Sequence, residues 1–223
     1  MEMTQAPNAR EVFSEALGSF FLFTAVIGSG VMAESLSGGN VGIALLANTI
    51  ATGAILYVLI AMLGPISGAH FNPAVTLAFW VRREIGLSKA IGFIIAQICG
   101  GAIGAFAAHL MFDLPILQFS TKARAGIGQW TGEFVATYGL VLTILLLVRY
   151  RPQAIPAAVG LYITSAYWFT SSTSFANPAI TIVRSLSDTF AGIAPHDVPL
   201  FIAAQLAGAL IAVVTARWLV TEP

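Results

Sequence analysis

Charge is the scarcest thing in this chain. Only 9% of its 223 residues are charged, against 57% hydrophobic, where a soluble domain carries about 25% charge. The mean hydropathy of +0.86 points the same way, and a soluble globule is excluded. An excess of positive charge is missing too: ten Lys and Arg balance ten Asp and Glu, and no basic cluster is present to hold nucleic acid or a lipid surface. Cysteine is down to Cys99 and histidine to three residues, which leaves no disulfide within the chain and none of the spacings of a zinc or haem site. Cys99 sits in an apolar run and is expected to serve as a small packing residue. Neither a nucleophile–base pair nor an ATP-binding motif is recognisable, so the sequence predicts no catalytic residue, no cofactor, no metal site and no pump.

Apolar runs are abundant. They cover roughly 12–32, 41–64, 90–112, 129–148, 155–171 and 198–220. Most reach the ~20 residues that cross a bilayer; the fifth is shorter. Glu15 lies in the first run and no signal-cleavage pattern follows, so that run reads as a retained span. Six spans put both termini on one side. Lys and Arg favour cytoplasmic loops. With the N-terminus inside, Arg10, Arg82, Arg83, Lys89, Arg149, Arg151 and Arg217 fall inside, and Lys122, Arg124 and Arg184 outside. The chain is therefore expected in the cell (inner or plasma) membrane with both termini cytoplasmic.

Two copies of one tripeptide stand beside these spans, Asn72-Pro73-Ala74 and Asn177-Pro178-Ala179. Asn is a strong helix N-cap and Pro is favoured at the first helical position, so each triplet predicts a helix start. The stretches that follow, 73–82 and 178–187, reach only about half of the hydrocarbon thickness at ~1.5 Å per residue. The irregular backbone before them is tolerable at membrane depth only where it is buried in protein or lines water.

The two halves also match around the triplets. The first runs Glu15, Asn72-Pro73-Ala74, Ala96-Gln97-Ile98-Cys99-Gly100; the second runs Glu133, Asn177-Pro178-Ala179, Ala204-Gln205-Leu206-Ala207-Gly208. Each half supplies three spans, and three is odd, so the second half enters the membrane inverted, as in transport proteins. The first repeat covers about 11–112, the linker about 113–128 and the second repeat about 129–220, within a single membrane domain of residues 1–223. Gly28, Gly30, Gly100, Gly101, Gly104 and Gly208 allow close helix packing.

The segment Ser67-Gly68-Ala69-His70-Phe71-Asn72-Pro73-Ala74-Val75-Thr76, the second Asn-Pro-Ala and the paired glutamates together resemble the major intrinsic protein family, the aquaporins and aquaglyceroporins, over roughly residues 11–220. The resemblance implies the aquaporin fold: an all-α membrane protein with six transmembrane helices plus two re-entrant half-helices in an inverted 3+3 repeat. It implies one pore per subunit and a homotetramer in the lipid bilayer. Asn72 and Asn177 are expected to turn amide N–H groups toward a passing solute, with two positive half-helix ends at the pore centre. Glu15 and Glu133 are expected to accept backbone N–H groups and hold the re-entrant loops. His70 resembles the family's pore-lining histidine, or braces its loop by a hydrogen bond. His109 and His196 read as unremarkable end-of-span residues and Gln97 and Gln205 as interhelical glue.

The pattern breaks at the narrowest point. Most members carry Arg directly after the second triplet; here the residue is Ile180. Typical glycerol channels follow with Asp; here it is Thr181. Family spacing puts Thr52 where water channels carry a bulky aromatic, and puts Ser174 three residues before Asn177. On the fifth span direct counting gives Ser165, and alignment of Gly160-Leu161 gives Tyr167. A filter of Thr52, Ser165 or Tyr167, Ser174 and Ile180 lacks the fixed cation and rigid donor fork of Arg. It is expected to be wider, less charged and less water-specific. Arg184, one helical turn beyond Ile180, is expected in the outer vestibule, paired with Asp188 or reaching headgroups. The alternative is that it attracts oxyanions or partly stands in for the missing arginine. The stretch from Arg184 to Ile193, with an aliphatic residue at the arginine position, resembles the bacterial aquaporins encoded with arsenic-resistance genes, a group associated with moving arsenic species across the cell membrane.

The expected function is a passive channel for small neutral solutes: water, glycerol- or urea-sized molecules, and arsenic or other metalloid species such as neutral arsenous acid. An ordinary water channel with an unusual filter and a poorly conducting structural membrane protein are the alternatives.

Overall fold

A computed structural model describes residues 8–220, and all regular structure among them is helical. Asn8 opens the first helix with a capping box, its side chain accepting the Arg10 N–H while Glu11 reaches back to its own N–H. The helices are α1 Ala9–Leu36, α2 Val41–Ser67, α3 Pro73–Val81, α4 Leu87–Met111, α5 Ile127–Tyr150, α6 Ile155–Phe169, α7 Pro178–Arg184 and α8 Val198–Leu219. Single 3₁₀ turns, Pro152–Ala154 and Pro195–Asp197, lead into α6 and α8. Four of these α-helices (α1, α2, α4 and α5), and α8 together with the turn before it, are long and apolar enough to cross a membrane. The fifth span, α6, has 15 residues, as its short apolar run foretells.

The six spans alternate in direction, which leaves two ends to the molecule. The terminal end carries the start of α1, the end of α8, the α3–α4 turn and the 3₁₀ turn before α6. The linker end carries residues 112–126 and the connection from α7 to α8. Contacts between distant segments agree: the Lys89 ammonium meets Glu11 at 2.8 Å and Arg217 donates to the Val81 carbonyl at the terminal end. At the linker end Ser120 N–H donates to the Ser185 carbonyl and Ala194 N–H to the Lys122 carbonyl.

Within each half one pair of spans packs closely, α1 on α4 and α5 on α8. The reason is small residues at the crossing. A Cβ on Gly100 would collide with the Ala16 carbonyl, one on Gly104 with the Phe20 carbonyl, and one on Gly208 with the Phe134 carbonyl. Phe23, Ile27, Leu59, Ile193 and Phe201 fill the interior, while Ile50, Tyr57, Ile95, Ile103 and Val214 face outward as an apolar surface suited to lipid.

Three expectations need correction. The second half-helix stops at Arg184 rather than 187, because Ser185, Leu186 and Ser187 close tight turns onto Ile182, Val183 and Arg184. Cys99 is exposed; the buried stripe of α4 at this level is Ala96, Gln97 and Gly100, and Cys99 lies off it. His109 is fully buried, with Nδ1 donating to the Ile116 carbonyl and Nε2 bonded to the Ser187 hydroxyl, both at 2.9 Å. It ties α4 to the linker and to the turn after α7.

Candidate functional site

Each Asn-Pro-Ala triplet starts a short helix as its chemistry dictates. The Asn72 side chain accepts the Ala74 N–H at 2.9 Å, and Asn177 accepts the N–H groups of Ala179 and Ile180. The loops before them share an unusual backbone. In both, the residues one and three positions before Asn are left-handed: Phe71 (φ 47°) and Ala69 (φ 51°), then Ala176 (φ 46°) and Ser174 (φ 50°). None is glycine, so each conformation costs about 1–3 kcal/mol and persists only under firm surroundings.

Those surroundings are the two glutamates. Glu15 accepts the N–H groups of His70 at 2.9 Å and Phe71 at 2.7 Å, together with the Ser67 hydroxyl and the Gln97 amide. Glu133 accepts those of Phe175 and Ala176, both at 2.8 Å, together with the Gln205 amide. Gln97 also donates to Thr76, and Gln205 to Thr181, at the same offset after each triplet. Both carboxylates are fully buried; bonds of this kind are what make a buried charge tolerable.

The two loops meet. Asn72 Nδ2 donates to the Ala176 carbonyl at 2.7 Å and Asn177 Nδ2 to the Phe71 carbonyl at 2.8 Å. Each side-chain amide has two N–H groups, so one remains beyond this bond. A cavity of about 100 Å³ passes these groups, lined from Phe79, Val148 and Ile155 near the terminal end through His70, Asn72 and Asn177 to Thr52, Tyr167, Ser174, Ile180 and Arg184. Pockets for drug-sized ligands are roughly 300–1,000 Å³; this one suits a file of small molecules. His70 both lines it and is bonded to Thr76 at 3.1 Å, its ring stacked on Phe79.

At the constriction expected from the sequence, Thr52, Ser174 and Ile180 lie on the cavity wall. Of the two fifth-span candidates, Tyr167 is on the cavity wall and Ser165 is not. Ser165 is on the exposed side of α6, its hydroxyl turned back to the Tyr162 carbonyl, whereas Tyr167 is buried with its hydroxyl 3.2 Å from that of Thr52.

Arg184 makes no ion pair with Asp188. Asp188 accepts the N–H and hydroxyl of Thr121, while Arg184 turns inward, 2% exposed, donates Nε to the Ala191 carbonyl and lays its guanidinium 3.4 Å from the centre of the Phe175 ring. A second guanidinium, overlooked by sequence reasoning, joins it. Arg124 folds in from the linker to donate to the carbonyls of Gly192 at 2.8 Å and Ser172 at 3.2 Å, and also rests on Phe175. Lys122 lies nearby and donates to the Phe190 carbonyl. Burial brings Arg124 down to about 10, and burial together with the two neighbouring guanidinium groups brings Lys122 down to about 8. The signal for Arg124 was absent from its surroundings in sequence, where it is one of two cations in a polar linker.

The Major intrinsic protein family model matches residues 2–168. The chain is 53% identical over 217 residues to the aquaglyceroporin AqpS of Rhizobium meliloti, covering 97% of this chain and 93% of that one. It is 30% identical to the aquaporin AqpM of Methanothermobacter thermautotrophicus, covering 96% and 98%. The X-ray structure of the aquaglyceroporin from Plasmodium falciparum superposes with a TM-score of 0.69 over 94% of both chains, at 21% identity.

Proposed function

Because the chain belongs to the major intrinsic protein family, whose members are membrane channels rather than enzymes, we propose that it is a passive pore for small neutral solutes in the cell membrane. The proposed solutes are water, glycerol- and urea-sized molecules, and arsenic or other metalloid species in neutral hydroxylated form. The proposed molecule sits in the inner or plasma membrane as a homotetramer, with both termini, and hence the terminal end, cytoplasmic.

The observation that carries the pore reading is the meeting of the two triplets across the cavity. The remaining amide N–H groups of Asn72 and Asn177 offer hydrogen bonds to a solute oxygen in mid-membrane. The carbonyls along the left-handed loops offer acceptors. A neutral hydroxylated molecule exchanges its hydration for these groups, whereas a cation meets two helix starts whose partial charge opposes it. The filter of Thr52, Tyr167, Ser174 and Ile180 has three hydroxyls and one aliphatic wall, and supports hydroxylated solutes larger than water. AqpS, named an aquaglyceroporin, supports the same class.

Stopped-flow light scattering on proteoliposomes tests this with water, glycerol, urea and arsenous acid. Fast entry of the larger solutes is expected, and Ile180→Arg is expected to cut glycerol and arsenous acid entry by tenfold or more relative to water. Unchanged entry in that variant would place the filter elsewhere, and water permeation alone in the parent protein would return it to the water channels.

A further inference from the structure

The linker end of the cavity holds more positive charge than the protein neutralises. Arg124 and Arg184 are both buried against Phe175. Among the described residues neither guanidinium lies within salt-bridge distance of a carboxylate. Glu133 is the acidic group whose charge both feel, and its two oxygens are already taken by Phe175 N–H, Ala176 N–H and Gln205. Asp197 accepts the main-chain N–H of Arg124, not its guanidinium. Two cations thus face one committed carboxylate in a desolvated place, where an unmatched charge is costly.

Of the two arginines, Arg184 is the one that lines the cavity. Arg124 spends Nε and Nη1 on carbonyls. Arg184 spends only Nε, on Ala191; its two Nη groups have no partner among the described residues, and the side chain lines the cavity while being 2% exposed. Ser174, on the same wall, has a buried hydroxyl without a partner. A planar fork of N–H donors and a hydroxyl on the lining of one cavity together match the two oxygens of a carboxylate.

We infer that the linker end of the pore contains a binding site for a small monovalent oxyanion of the carboxylate type, held by the Arg184 fork and the Ser174 hydroxyl. The occupant sits in the path itself, so it competes with neutral solutes rather than accompanying them. The site stands apart from the choice of neutral solute; only the competition rests on the pore reading.

Isothermal titration of the purified full-length protein in detergent with sodium formate, against sodium chloride at equal ionic strength, is the test. Saturable binding of formate and none of chloride is expected. Arg184→Lys keeps a cation but loses the fork, and Arg184→Gln loses both; weakening of about tenfold and about a hundredfold is expected, in line with the loss of charge-assisted hydrogen bonds. Arg217→Gln, at the opposite end, should bind as the parent does. No formate binding in the parent, equal binding of chloride, or full affinity in Arg184→Lys together with Arg184→Gln overturns the inference. Formate binding by a protein that passes no neutral solute leaves the site standing and removes the pore reading instead.

Discussion

Glu133 shows how much one side chain can hold. It receives two main-chain N–H groups and an amide, and Glu133→Ala strands all three inside the protein. At about 1–3 kcal/mol for each buried group left unpaired, the loss is on the order of several kcal/mol, a large share of a typical stability. The expected result is protein that unfolds at much lower temperature in detergent, or fails to elute as a single species on size exclusion. A well-folded Glu133→Ala that had lost only transport would assign the carboxylate to the pore instead. At this scale the sequence was legible wherever the repeat supplied a second copy: Glu15 and Glu133 as acceptors of loop N–H groups, and Asn72 and Asn177 as helix caps. It was opaque where one half does something the other does not. Tyr167 and Ser165 were indistinguishable by counting, and only the packing of α6 against α2 puts the tyrosine hydroxyl beside Thr52.

Among the helices, the glycines separate into those that space two backbones and those that space nothing. Gly104 faces the Phe20 carbonyl across the α1–α4 crossing, while Gly64, also helical, has open space around its Cβ position. Gly104→Ala is expected to push the two helices apart, costing about 1–3 kcal/mol. Gly64→Ala is expected to be neutral or to stabilise by roughly 0.5–1 kcal/mol, through helix propensity. Thermal unfolding of the two variants side by side in one detergent checks the contrast; equal midpoints would mean that the α1–α4 crossing yields at no cost. Helix starts were read correctly from Asn and Pro because a cap is a local event. Helix ends were not: α7 stops at Arg184 since the chain after it must turn back to meet Ser120 and the linker, a contact between residues far apart in sequence. Arg124 was missed for the same reason.

For the whole molecule, the distribution of cations argues for one orientation, with seven of ten Lys and Arg at the terminal end. Two exposed positions at opposite ends can report it, Ser35 near the end of α1 and Glu84 in the turn after α3. In a Cys99→Ser background, Ser35→Cys is expected to react with a membrane-impermeant maleimide on intact cells, and Glu84→Cys only after permeabilisation. The reverse pattern would invert the molecule. The fold itself was readable at this level because apolar runs, an odd number of spans per half and a repeated triplet leave few other arrangements.

The bonds from Asn72 to the Ala176 carbonyl and from Asn177 to the Phe71 carbonyl join residues 104 and 106 positions apart. Synthesis at ~5–20 residues per second separates the two loops by roughly 5–20 s. Throughout that interval the first loop has a glutamate to rest on but no opposite loop to grasp, and the wall of the passage has only one side. The centre of the channel is therefore settled late, when the second triplet arrives to close what the first left open.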